Sequence, residues 1–199
     1  MTPVLQAHEV SVPGRLRALS LTVNPGEIHG LVGANGSGKS TFLECILGAV
    51  PFEGRLERSD SVAFVPQVFS VGLLPVTVLE WLAASRTNRP VWLGVQPSLR
   101  LRLEQALERM NCKSLADAAM SSLSQGQLRR VALADALDRS PALLLLDEPE
   151  AGLDANSTRL LLTELTEACS RGVGVLLVSH HEASLNHLHA RRTQVEGLE

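Results

Sequence analysis

Apolar and polar positions alternate over residues 4–12 and again over 19–23, as strands with one buried face require. Pro13-Gly14 and Pro25-Gly26 punctuate their ends, so the start of the chain predicts an antiparallel β region. Residues 28–32 form a shorter apolar run that leads into a glycine-rich segment. After it, the spacing over 41–47 predicts a helix stopping near Gly48. Residues 62–65 predict a short strand ending at Gln67. From 68 to 122 the pattern turns helical, with breaks at Pro75, Pro90 and Pro97, and 76–85 and 99–110 are its clearest helices. A helix over 128–138 follows. Residues 142–146 and 173–178 are unbroken apolar runs, the mark of parallel strands covered on both faces, and 157–170 between them is amphipathic. This order predicts one α/β domain over 1–199. Its core is drawn from 1–67 and 123–199, with an all-helical lobe, 68–122, inserted between them.

The glycine-rich segment carries the first chemistry. Gly33-Ala34-Asn35-Gly36-Ser37-Gly38-Lys39-Ser40-Thr41 fits the phosphate-loop pattern, and it has the required strand before it and helix after it. Glycines let backbone N–H groups curl around phosphates, and the helix N-terminus adds its positive dipole end. Lys39 has the reach for the β- and γ-phosphates, and the Ser40 hydroxyl is suited to Mg²⁺. A pattern of this stringency arises by chance in roughly one chain in a hundred of this length. A bound nucleoside triphosphate is therefore expected.

Several further motifs follow in a fixed order. Phe64-Val65-Pro66-Gln67 comes first, then Leu123-Ser124-Gln125-Gly126-Gln127, then an apolar run ending in Asp147-Glu148-Pro149. Gly152-Leu153-Asp154 and Val178-Ser179-His180 complete the set. In this order and spacing the chain resembles the ATP-binding subunit of ABC transporters over nearly its whole length. The resemblance implies a phosphate-loop fold of the ABC type, with a mainly parallel core sheet, an N-terminal antiparallel region and the helical lobe. It makes Gln67 the Q-loop residue and Asp147 and Glu148 the Walker B pair. Ser124, Gln125, Gly126 and Gln127 become the signature loop, with Gln125 where the family has a glycine. Asp154 becomes the D-loop residue and His180 the H-loop residue.

The roles implied are specific. Asp147 would hold a Mg²⁺-bound water, and Gln67 would ligate Mg²⁺ or the attacking water through its amide oxygen. Glu148 would act as general base and His180 would stabilise developing charge. The resemblance also implies that the signature loop closes over the ATP of a second ATPase subunit in a head-to-tail homodimer, with Asp154 coupling the two sites. Residues 64–67, 74–78 and 89–92 look like the zinc/manganese-type importers. The short length and the segment 127–133 are also similar to haem-export ATPases, so metal import and haem export both stay open, with a non-transport soluble ABC ATPase as a further alternative.

Composition narrows the class. A formal charge of −3 over 199 residues gives no electrostatic footprint for nucleic acid, so none is expected as a partner. Arg129-Arg130 and Arg191-Arg192 read as solvated helix faces. Cys45, Cys112 and Cys169 form no metal or disulfide pattern and suit inert thiols in a reducing cytosol. No apolar run approaches the roughly 20 residues a membrane span requires, nor is there a signal segment. The permease is thus expected on separate chains, with this subunit peripheral on the cytoplasmic side of the membrane. The apolar stretch 68–76 divides between core packing and a groove for a permease helix, with Phe69 and Leu73 lining it. His187-x-His189 reads as a surface pair, and Trp81 and Trp92 as packing anchors.

One departure stands out. The family stacks adenine on an aromatic residue in the N-terminal strands, whereas residues 4–23 contain no Phe or Trp and the chain has no Tyr. His8, Val10 and Val12 are the substitutes at hand. ATP is still favoured over GTP, because no Asn-Lys-x-Asp motif occurs.

Overall fold

Leu5, Ala7, Val10 and Val12 are the buried positions of β1 (Leu5–Val12), and a shift in phase at Glu9 (φ 50°) keeps the last two on the inner face. The computed structural model describes residues 2–68, 75–87, 90 and 93–197. β1 pairs antiparallel with β2 (Leu16–Val23) across the Pro13-Gly14 turn. Next come β3 (Ile28–Val32), α1 (Lys39–Leu47) and β4 (Glu53–Arg58). β4 pairs with the other side of β1, so the antiparallel sheet has the order β2-β1-β4. No hydrophobic alternation announces β4, whose residues are nearly all exposed. Its charges suit an edge strand, which must repel other edges.

β5 (Val62–Val65) leads to α2 (Val78–Ala84), α3 (Pro97–Arg109) and α4 (Gln125–Asp138). Then follow β6 (Leu143–Asp147), α5 (Ala155–Ser170), β7 (Gly174–Val178), α6 (Glu182–His187) and β8 (Arg191–Gln194). The second sheet is parallel throughout, in the order β5-β6-β7-β3-β8.

Side chains along β6 and β7 alternate between two cores. Leu144, Leu146, Val175 and Leu177 join the core formed with α2, α3, α4 and α5. Leu143, Leu145, Leu176 and Val178 join the core under the antiparallel sheet and α1, around Phe42 and Ile46. Both faces are therefore covered, which explains the unbroken apolar runs. A parallel sheet also sends every strand's C-terminal end to one edge. Here that edge carries Gln67 beyond β5, Asp147 at the end of β6, His180 beyond β7 and the phosphate loop beyond β3.

Two expectations need correction. Arg191 and Arg192 stand on β8, an edge strand paired with β3, and not on a helix face. Arg129 is on α4 but is only 9% exposed, so it is no part of a solvated face. Phe69 to Leu74 lie outside the described residues, as do Asn88, Arg89, Val91, Trp92 and the groove expected at Phe69 and Leu73. Trp81 is half-buried against the α2–α4 core, as an anchor should be.

An ion-pair network ties the turn after α2 to α4. Arg86 Nη1 lies 2.6 Å from Asp135 Oδ1 and Nη2 lies 3.4 Å from Asp138 Oδ2, with side-chain exposures of 8–10%. Arg139 also contacts Asp135, while Arg102 and Arg109 reach Asp138 from α3. Removing one partner of a buried pair strands the other charge. Arg86→Met should therefore destabilise the fold by about 3 kcal/mol in denaturant unfolding. A change below about 1 kcal/mol would show that the remaining arginines neutralise both aspartates.

Candidate functional site

The phosphate loop is shaped by backbone that side chains would block. Gly38, the cap of α1, has φ 103°, and a Cβ there would sit 2.6 Å from the carbonyl oxygen of Arg15. The loop is thereby packed against the β1–β2 turn. Lys39 folds over it, its Nζ donating to the carbonyls of Gly33 (2.9 Å) and Ala34 (2.8 Å). Burial pushes the Lys39 pKa down, against the opposing charges of Glu148 and Asp147.

A cleft of about 640 Å³ opens over this loop. It is lined by Asn35, Gly36, Gly38, Lys39, Ser40 and Thr41, by Gln67, Asp147, Glu148 and His180, and by Gly14, Arg15 and Val178. Gly33 and Ser37 complete the loop behind it, with Ser37 buried. Ser40 Oγ donates to Asp147 Oδ2 at 3.1 Å. Burial raises the Asp147 pKa; the Ser40 hydrogen bond lowers it, Glu148 raises it further, and Lys39 and Arg129 lower it.

Glu148 is held from three sides. Gln67 Nε2 donates to its Oε2 at 2.7 Å, and His180 Nε2 lies 3.0 Å from its Oε1. Its own N–H donates to Val178 O at 2.9 Å, and its carbonyl accepts from Arg129 Nη1. This backbone is left-handed, with φ 47°, a conformation uncommon for a glutamate and often found where a structure forces it at a functional site.

Other expected residues lie elsewhere. The signature begins a helix and is not a loop: Ser124 caps α4, which starts at Gln125, three residues before the expected boundary. Ser124 Oγ accepts from Gln127 N–H, and Gln127 Oε1 accepts from Ser124 N–H, a reciprocal capping box. Gln125 is exposed at the first helical position, where nothing demands a glycine. Gly126 differs: a Cβ there would stand 3.0 Å from Gly152 O, so α4 approaches the turn before α5 closely. Asp154 caps α5, its Oδ1 accepting from Ser157 N–H at 2.7 Å, a bond that lowers its pKa. Neither Ser124 nor Asp154 lines the phosphate cleft of its own chain.

His8, Val10 and Val12 do not line the cleft either. Val10 and Val12 are buried in the sheet core, and His8 faces a separate hollow with Gln6, Arg55 and Glu57. From this part of the chain Gly14 and Arg15 line the cleft instead, and Arg15 Nη2 lies 2.7 Å from Glu44 on α1. Sequence reasoning missed it, because a single arginine in a turn carries no signal. Arg129 was visible only as half of an arginine pair. His187 and His189 are exposed, as a surface pair should be, and the Cys112 thiol is pushed up to about 12 by burial.

Such a loop, with a strand-terminal carboxylate pair and a histidine on one sheet edge, defines a phosphate-loop nucleoside triphosphatase. Residues 16–151 match the family described as ABC transporter. The zinc import ATP-binding protein ZnuC of Cereibacter sphaeroides is 39% identical over 186 residues, covering 89% of this chain and 72% of that protein. The protein of the same name from Paramagnetospirillum magneticum is 40% identical, covering 83% and 62%. Among solved structures, an ATP-binding subunit of an ABC transporter superposes with TM-score 0.83 at 22% identity, covering 97% of this chain and 86% of that one. The ADP conformation of another ATP-binding cassette gives 0.79 at 23%, covering 98% and 88%. The chain belongs to the ABC transporter family, as its ATP-binding and ATP-hydrolysing domain. No helix among the described residues is long and apolar enough to cross a membrane.

The raised pKa of Asp147 sets a stability signature. Its folded value lies above the unfolded one, so the folded state binds the extra proton. Its contribution is favourable below the ordinary carboxylate range and is lost as pH rises through the raised value. Asp147→Asn keeps an acceptor for Ser40 and removes that charge. The variant should melt above the wild type at pH 7 and should lose ATP turnover. The difference should shrink as pH falls toward 4. A variant that melts lower at pH 7 would contradict this.

Proposed function

We propose that this chain energises a metal-ion importer as one of two ATPase subunits joined head to tail, with the permease on separate chains. The carrying observation is the position of Ser124 and Gly126. They belong to a helix N-terminus where Ser124 and Gln125 are exposed and Gly126 is half-buried, with the dipole and N–H groups suited to phosphate, yet they lie outside the cleft of their own chain. A second subunit's ATP gives them an anion to cap. The names of the two zinc-import relatives favour metal import over haem export. The sequence is consistent with a peripheral subunit on the cytoplasmic face.

The reading assigns each group a task. The phosphate loop and Lys39 hold the β- and γ-phosphates, positioning them for in-line attack. Ser40 and Asp147 offer the hard oxygen donors that Mg²⁺ prefers, already 3.1 Å apart, and the buried carboxylate fits a cation there. Mg²⁺ held by Ser40 and Asp147 would neutralise phosphate charge. Gln67 uses its amide nitrogen on Glu148, which leaves the amide oxygen for the metal or the water. Glu148 accepts the proton of the attacking water, and His180 donates toward the charge developing on the γ-phosphate. Asp154, capping the helix beside the signature, sits where the two subunits would meet.

Glu148→Gln keeps volume and removes proton acceptance. Hydrolysis should fall at least about 100-fold while ATP with Mg²⁺ traps a dimer, seen as a mass doubling in light scattering. Ser124→Arg should leave ATP binding by the monomer nearly normal yet block both dimer and turnover. Loss of monomer binding in Ser124→Arg would overturn the two-subunit site.

A further inference from the structure

Arg129 is the fifth residue of the signature helix α4, and its guanidinium is buried behind the catalytic edge. Nη1 donates to the carbonyl of Glu148, and Nη2 donates to the carbonyl of Gln67. These acceptors lie just past the ends of β6 and β5, which are neighbours in the sheet. One planar cation therefore clamps two adjacent strand ends to the signature helix. The same two residues meet through their side chains at 2.7 Å, so the clamp fixes the backbone beneath the Gln67–Glu148 pair. The Glu148 carbonyl it grips belongs to the left-handed residue, which needs such an external hold.

We propose that Arg129 is a positioning residue that sets the orientation of Glu148 and Gln67 and makes it depend on where the signature helix sits. When α4 shifts, both carbonyls follow the guanidinium. A partner subunit closing on the exposed N-terminus of α4 thereby acts on the base of the opposite site as well as on the ATP it caps. A lysine cannot reproduce this, because a point charge on a flexible stem does not present two parallel donors. The burial of the guanidinium means that it cannot be released to solvent cheaply. The inference rests on Glu148 being the base.

The test is steady-state ATPase kinetics with parallel binding of a fluorescent ATP analogue. Arg129→Lys should lower kcat by about 10-fold and Arg129→Ala by about 100-fold, both with KM and analogue affinity within about 3-fold of wild type. Millimolar ethylguanidinium should restore part of the Arg129→Ala rate and none of the Glu148→Gln rate. If Arg129→Ala does not fold, the kcat loss at constant KM in Arg129→Lys carries the test alone. A kcat within about 3-fold of wild type in Arg129→Lys overturns the proposal. So does a parallel loss of rate, affinity and melting temperature without rescue, which marks a structural strut. Full turnover in Glu148→Gln would instead remove the assignment of the base, independently of Arg129.

Discussion

Two carboxylates, Asp147 and Glu148, stand side by side at the end of a strand buried on both faces, and the site is organised around keeping them charged and aimed. Burial beside the low-dielectric core makes Asp147 resist ionisation, and the neighbouring Glu148 charge adds to this. The raised pKa of Asp147 records that cost. The compensating groups come from every direction: Ser40 and Lys39 from the phosphate loop, His180 from β7, Gln67 from β5 and Arg129 from α4. No single element supplies the catalytic geometry. It exists only when four strand ends and one helix are packed together, so the two cores on either face of the sheet underlie the chemistry. The fold also stores strain there, in the left-handed Glu148, at a point fixed by bonds to both its N–H and its carbonyl.

Much of this was legible in the chain. The phosphate loop declares itself because each residue type has one physical task, and the buried strands declare themselves because covered sheets need unbroken apolar runs. The signature helix was placed three residues late, although Ser124-x-x-Gln127 spells a capping box. What stayed hidden has a common cause. β4 and β8 are edge strands of charged and polar residues, stabilised by backbone pairing that leaves no hydrophobic period. Arg15 and Arg129 act through backbone carbonyls or a distant glutamate, and the partners of such contacts are far apart in sequence. The reading of Arg129 as a solvated cation failed because periodicity alone does not show which polar residue on a helix meets a strand end.

The cap of α4 gives the signature its double character. Ser124 is satisfied within its own chain by Gln127, so the helix is stable in the single subunit. Ser124 and Gln125 at this N-terminus are exposed, while Gly126 is half-buried. Gly126 lets this turn lie against Gly152, beside the cap of α5, so the two helix N-termini pack as one unit. Arg129 extends that unit inward to Glu148. In the proposed reading, ATP capture, subunit closure and alignment of the attacking water are parts of one mechanical linkage.

The most direct measurement is a structure of the protein with Mg²⁺ and a beryllium-fluoride ADP complex that mimics the γ-phosphate. The account predicts that His180 and Gln67 leave the Glu148 carboxylate for the phosphate mimic and the metal. The carbonyls of Glu148 and Gln67 should stay on Arg129, with the Glu148 backbone still left-handed. A structure in which Glu148 keeps both side-chain partners, or in which Arg129 has let go of both carbonyls, would contradict it.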